Sequence, residues 1–336
     1  MSPHRTPVRV AVLGTGAIAQ VVHLPILSRM RGVEIAAVVD ANHSIARTIA
    51  TRFGVPAAPR SEEEVWADES IRAVVVCTPS HLHEAHVRGA LRAGKYVLCE
   101  KPLALTADGV ERILAEEGAD RRLLVAMNQR FRPDAAALKS FVAGGDLGHV
   151  FYLKTGWLNR RLGSRGRSWR QRRASGGGAL MDLGVQMLDL ALWILDYPEP
   201  ERITAHTYRE AGAEVEDSAA LMLRLKGDRL VNLEVTSNLL AGRDQQFLNL
   251  LGGSGSASLS PLTVYKEMES GLVEVTPALA PGRENLFTAS YRNELQHFVE
   301  VVRGEREAEA PREHVTLMRL LAAAYRSAEE HREITL

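Results

Sequence analysis

The sequence predicts an α/β protein in two parts, a doubly wound parallel sheet followed by an α+β part with a mainly antiparallel sheet. Three observations predict this. Predominantly apolar, β-branched runs alternate with helix-length segments up to about Met127. From Glu201 to about Glu269, strand-like runs follow one another with turns rather than helices between them. The length, 336 residues, suits two domains.

In the first part the runs are Val8–Leu13, Val33–Val39, Ala73–Cys77, Lys95–Cys99 and Leu123–Met127. Arg9, Glu34 and Lys95 aside, each is apolar, as expected of strands covered on both faces. Segments between them, such as Ile18–Met30, His81–Ala93 and Thr106–Gly118, have helical period and length. Strand–helix alternation of this kind gives a parallel sheet with helices on both sides.

The pattern changes after residue 127. Arg132–Ala143 reads as a helix opened by Pro133, Val150–Leu158 as a strand, and Asn159–Gly178 as a long loop rich in Arg, Gly and Ser. Ala179–Leu195 is apolar at helical spacing. The runs RITAHTY, AALMLRL, LVNLEV and FLNLL follow, separated by turn signals such as KGD and LGGSGS. Tyr291–Val302 and Arg312–Glu330 read as closing helices. The expected domains are 1–127 and 128–336, with the closing helix 312–330 able to pack back near the first.

Lys+Arg and Asp+Glu both number 41, so no global field draws in nucleic acid or an anionic membrane. The opening MSPHRTPVRV has no apolar core and reads as a short tail. No uniformly apolar run approaches the roughly 18 residues of a membrane span. Cys77 and Cys99, the only cysteines, end apolar runs and read as small buried thiols rather than a disulfide framework or zinc site. His23, His43, His149 and His297 lack metal-ligand spacing. The expectation is a cytoplasmic protein without metal, nucleic acid or membrane partner.

GTGAIA spans Gly14, Thr15, Gly16, Ala17, Ile18 and Ala19, directly after the first strand and before a helix. This is the Rossmann fingerprint in the context that gives it meaning. Gly14 allows the tight turn, Gly16 lets backbone approach a pyrophosphate, and Ala19 keeps helix and strand close. The pyrophosphate then faces helix N-terminal N–H groups. Asp40 ends the second strand about 20 residues on, where a ribose-binding acid is expected. Its carboxylate accepts from ribose hydroxyls and repels a 2′-phosphate. Ala41 and Asn42 supply no arginine for that phosphate, so NAD is favoured over NADP. The bland alternative, a glycine-rich turn and a strand-ending acid, leaves this register unexplained.

Strand ends in an open parallel sheet line the ligand crevice. One run ends in Cys77-Thr78-Pro79, followed by His81 and His83, and another in Cys99-Glu100-Lys101-Pro102. Pro102 biases Lys101 away from helical geometry, so the chain should turn there. The alternative for Lys101 is a solubilising loop lysine.

These residues, with Gly176-Gly177-Gly178, Asp182, Gly184 and Asp189, resemble the glucose–fructose oxidoreductase / inositol dehydrogenase / rhizopine catabolism (Gfo/Idh/MocA) family over essentially the whole chain. The resemblance implies an N-terminal NAD(P)-binding domain and a C-terminal α/β domain. The latter has a large open sheet that serves as an oligomer interface, making a homodimer or homotetramer. It implies reversible hydride transfer at a hydroxyl/keto carbon of a sugar, sugar derivative or cyclitol. Cofactor contacts are implied at Gly14, Gly16, Ala17, Ile18, Ala19, Asp40, Thr78, Pro79, His83, Glu100 and Lys101. Lys101 is implied to bind the reacting oxygen and assist proton transfer, with Asp182 beside it in the chemistry.

One position departs. Gln186 stands where the family pattern has a histidine acting as general acid/base. A carboxamide hydrogen-bonds in both directions but does not titrate near neutrality. General acid–base help is worth about 10²–10⁴-fold, so the change bears on the proton relay or on the reaction itself. It favours one alternative, a dinucleotide-binding regulatory or scaffold protein; a second alternative is an elimination or hydrolysis that uses NAD without net redox.

Asp182, Gln186 and Asp189 fall at i, i+4 and i+7, a polar stripe on an apolar helix. Buried polar groups need partners, so the stripe either serves a substrate or ties the helix to backbone or to arginines. Arg160–Arg173 holds seven arginines and no acid. Arg165, Arg167, Trp169 and Arg170 are therefore candidate contacts to a carboxylate or phosphate on the substrate. A solvated loop or subunit contact is the alternative.

Overall fold

The computed structural model describes residues 6–161, 172–279 and 285–336. Two compact units are present, Met1–Asn128 with Phe287–Val315, and Gln129–Leu286 with Thr316–Leu336.

The first unit is built on β1 (Val8–Leu13), β2 (Val33–Val39), β3 (Ala73–Val76), β4 (Tyr96–Glu100) and β5 (Leu123–Ala126). They form a parallel sheet in the order β2-β1-β3-β4-β5. The chain reverses its direction of winding between β1 and β3. In such sheets the crevice at the strands' carboxyl ends beside that reversal is where ligands sit. Helices follow the strands with local signals intact. Asn42 Oδ1 accepts from Ser44 and Ile45 N–H to start His43–Phe53, and Gly54, at φ +67°, ends it.

Val10, Val12, Val75 and Leu98 centre the core of this unit. Leu295, Phe298, Val299 and Val302 from the helix Leu286–Val302 join the same cluster. Residues 287–315, assigned to the second domain from sequence, therefore belong to the first unit. The apolar face of that helix covers strands more than 150 residues away, and period alone cannot say which sheet a helix covers. The closing segment Thr316–Leu336 stays in the second unit.

The second unit carries β6 (Val150–Arg160), β7 (Pro200–Tyr208), β8 (Ser218–Leu225), β9 (Arg229–Leu239), β10 (Gln245–Gly252), β11 (Gly255–Leu259), β12 (Thr263–Met268), β13 (Gly271–Glu274) and β14 (Ile334–Thr335). Their order is β13-β12-β11-β10-β6-β9-β8-β7-β14. Neighbours are antiparallel except β6 and β9, which run parallel. Inward and outward residues alternate along β8, with Leu221, Leu223 and Leu225 buried and Ala220, Met222 and Arg224 exposed. The helices Pro133–Ala143 and Val185–Ile194 contact strands of this sheet.

Within Arg173–Ile194 one 18-residue window is long and apolar enough, by length and composition only, to pass for a membrane span, with a mean hydropathy of 1.2. Of that window, 83% is buried within the protein. Its apolarity is that of a core helix, whose apolar residues are covered by the rest of the unit.

Candidate active site

Gly14 adopts φ +85°, and a Cβ there would lie 2.7–2.8 Å from the backbone of Cys77 and Thr78. Only glycine fits this crossing. A Cβ on Gly16 would meet nothing within 4 Å, so the backbone there faces open space. The next helix begins at once, with Gln20 N–H donating to Gly16 O at 3.1 Å, and Ala19 is fully buried. An open glycine backbone before a helix N-terminus is the cradle a dinucleotide pyrophosphate requires.

Asp40 completes that cradle. Its Oδ2 accepts from Thr15 N–H at 2.8 Å and Thr15 Oγ1 at 2.7 Å, and its Oδ1 from Asn42 N–H at 2.9 Å. A carboxylate offers about four lone-pair sites, so Oδ1 retains capacity for a ribose hydroxyl. The residues present fit NAD.

His83 sits behind the strand ends, 1% exposed. Its Nδ1 lies 2.7 Å from Pro102 O and its Nε2 2.8 Å from Thr78 O. Burial holds its pKa below the ordinary histidine value. A neutral imidazole carries one N–H, so one of these two carbonyls accepts it, and the ring lies between the Thr78 and Pro102 segments. Thr78 Oγ1 in turn meets His86 Nδ1 at 2.9 Å. Beyond Glu100 the chain bends through Lys101, Pro102 and Leu103, with a cis Lys101–Pro102 bond.

Glu100 is 7% exposed and meets His23 Nε2 at 2.7 Å. Burial raises its pKa, but the His23 bond and the nearby His23, Lys101 and His83 outweigh it. The carboxyl is held below its ordinary range. His23 is fully buried and stands edge-on to Tyr291, with ring centroids 6.0 Å apart. Sequence reasoning considered His23 only as a metal ligand and missed this pairing. Its position in the helix directly after the glycine loop was the available signal.

In the second unit Gly176 and Gly178 take φ +78° and +121° and lead into a widened turn, Leu180–Gly184, which continues as the helix Val185–Ile194. Widened turns of this kind recur at functional sites. Asp182 is half-buried, with its N–H on Gly178 O at 2.9 Å. Gln186 is 5% exposed and its Nε2 donates back to Asp182 O at 3.0 Å. Asp189 has a different role. It is 1% exposed and accepts from Arg130 Nε at 2.8 Å, Arg130 Nη2 at 2.5 Å and Tyr197 Oη at 2.5 Å. The polar stripe thus divides, and Asp189 ties the helix to an arginine.

Arg165, Arg167, Trp169 and Arg170 lie outside the described residues. At the base of their segment, acids arrive from distant sequence. Asp244 Oδ1 accepts from Arg160 N at 2.8 Å, Glu210 stands 3.6 Å from Arg161, and Glu214 accepts from Arg173 N at 2.9 Å. Among the described residues no cluster of His, Cys, Asp and Glu could hold a metal. Both cysteines are free and buried, and burial pushes their thiols up.

Residues 8–127 match the profile of an oxidoreductase family with an NAD-binding Rossmann fold, and residues 139–336 match that family's C-terminal alpha/beta domain. The chain is 28% identical to a D-glucoside 3-dehydrogenase of Escherichia coli, with 98% of each chain covered. It is 31% identical to an inositol 2-dehydrogenase of Burkholderia ambifaria, covering 88% of this chain and 86% of that one. It superimposes with a TM-score of 0.84 and 26% identity on GenD2 from gentamicin A biosynthesis, solved in complex with NAD, covering 100% of this chain and 98% of that one. The protein belongs to the Gfo/Idh/MocA family of NAD-binding oxidoreductases.

Proposed function

We propose that the protein is a dehydrogenase transferring a hydride between NAD and a hydroxyl/keto carbon of a sugar, sugar derivative or cyclitol. The observation that carries this reading is the built Glu100-Lys101-Pro102 turn. It is locked from behind by His23 and His83 at the carboxyl edge of the sheet that carries the glycine cradle. The relatives named for glucoside and inositol oxidation support the substrate class.

Bound NAD supplies the hydride acceptor. Lys101 holds the reacting oxygen and moves its proton. Asp182 accepts from a neighbouring substrate hydroxyl. Gln186 orients the substrate, since its amide donates and accepts but does not titrate near neutrality. Thr78 and Pro79 border the cofactor, and Arg165, Arg167, Trp169 and Arg170 meet an acidic group on the substrate. Incubation with NAD and a panel of glucosides, sugar acids and cyclitols should give NADH, with acids preferred over their neutral analogues. NAD binding without turnover on any of them would instead favour a regulatory role, the reading that Gln186 supports. Product without NADH would favour an internal, redox-neutral use of the cofactor.

The outward face of the nine-stranded sheet is proposed as the contact between subunits of a homodimer or homotetramer. Met222 is exposed on it, in a depression of about 440 Å³ lined also by Tyr152, Lys154, His206 and Glu234. Light scattering would give the mass. Two free, buried thiols fit a reducing cytoplasm.

A further inference from the structure

The helix that carries Asp182 and Gln186 begins without a cap of its own, since Ala179 offers no side-chain acceptor. Its first N–H groups need partners, because the leading turn of any helix leaves them unbonded. They find them on a residue 36 positions away. Glu216 O accepts from Ala179 N–H at 3.1 Å, and Glu216 Oε1 accepts from Leu180 N–H at 2.9 Å. Tyr325, on the helix Glu313–Glu330, donates its hydroxyl to the same Oε1 at 2.9 Å. Glu216 is itself only 9% exposed.

The glycine run is shaped around this carboxylate. A Cβ on Gly178 would fall 2.4 and 2.5 Å from the Glu216 carboxylate oxygens. Gly178 also takes φ +121°, which a side chain rarely adopts. The third glycine is thus required by both its backbone and its neighbour.

We propose that Glu216 is a positioning residue for the substrate-facing helix, a cap supplied from outside that fixes where Asp182 and Gln186 stand. The inference rests on the reading of those two residues as substrate contacts. Burial pushes the Glu216 carboxyl above its ordinary pKa, against the Leu180, Tyr325 and Arg173 contacts that lower it. A raised acid is more costly ionised than protonated in the fold, so its charge subtracts stability above that pKa. A neutral isostere keeps the acceptor and loses the cost. The position is therefore held for where its oxygen sits.

The test compares Glu216→Gln, Glu216→Ala and Asp182→Asn, using NAD with the panel sugar that gives the most NADH. Glu216→Gln should melt at or above the wild-type temperature and keep kcat within about threefold. Glu216→Ala should lose at least tenfold in kcat with NAD affinity unchanged. If Glu216→Ala does not fold, Glu216→Asp, which draws the carboxylate back by one methylene, should show the fall instead. A folded Glu216→Ala, or Glu216→Asp in its place, with wild-type kcat and KM overturns the proposal. So does a Glu216→Gln as impaired as Glu216→Ala. Asp182→Asn separates the premises: if it is inactive while Glu216→Ala is fully active, only the positioning inference fails. If Asp182→Asn is itself fully active, the substrate reading of the helix fails.

Discussion

Asp40 and Thr15 are joined twice, with the backbone N–H and the hydroxyl of Thr15 both on Asp40 Oδ2 at 2.8 and 2.7 Å. The carboxylate is therefore oriented by the glycine loop itself before any ribose arrives, and preorganisation of this kind lowers the cost of binding. The protein should bind NAD more tightly than NADP. Asp40→Ser should narrow that preference by removing the charge that repels a 2′-phosphate. Thr15→Val, which deletes only the hydroxyl, should weaken NAD several-fold. Calorimetric titration of both cofactors checks all three, and equal affinities in the wild type would contradict them.

The buried pair of His23 and Glu100 predicts a pH-dependent stability change. Removing one partner of a buried pair costs about 3–5 kcal/mol, so His23→Ala should be strongly destabilised near neutral pH. In the wild type the Glu100 pKa is depressed. Its contribution is present above the unfolded carboxyl value, about 4.3, and is lost as pH falls through the folded value. Without His23, burial dominates and the folded pKa rises above the unfolded one. Protonation then relieves the cost, so the deficit of the variant should shrink on acidification. Urea unfolding at pH 7 and pH 4.5 measures it, and a deficit independent of pH would count against the assignment.

Asp182 and Asp189 should part company under mutation although they lie on one helix. Asp189→Ala strands the Arg130 guanidinium and should cost about 3–5 kcal/mol while leaving kcat per folded molecule unchanged. Asp182→Asn should do the reverse, with near-normal stability and a fall in kcat of about tenfold or more. Thermal melts and steady-state rates on the same preparations decide it. Loss of kcat in a well-folded Asp189→Ala would return that residue to the site.

The parts legible in the sequence were those fixed by local chain geometry. GTGAIA announced its turn because a glycine crossing and a helix start are properties of adjacent residues. Glu100-Lys101-Pro102 announced a strand end for the same reason. The His23–Glu100 pair, 77 residues apart, depends on which helix covers which strand, and Arg130 was invisible as the partner of Asp189 on the same ground. β11, β12 and β13 are short and rich in Gly, Ser, Lys and Glu, so they lacked the alternation that marked β8. The acids facing Arg160 and Arg161 were likewise hidden, because they come from other strand ends.

Gln186 predicts a pH–rate profile without an inflection from a histidine base. Gln186→His should introduce one, near the ordinary histidine value of about 6.5, and raise turnover of neutral cyclitols. Initial rates from pH 5 to 9 for both proteins check this. A wild-type inflection near that value, persisting in a Lys101 variant with residual activity, would mean that another residue takes the proton.

Lys101→Ala is the most direct test of the central claim that the strand-end lysine handles the reacting oxygen. NADH formation on the best panel substrate should fall by about 10²-fold or more, while calorimetric NAD affinity stays within a few-fold of wild type. A variant that binds NAD normally and keeps more than about a tenth of the activity would contradict a role of that size in proton transfer.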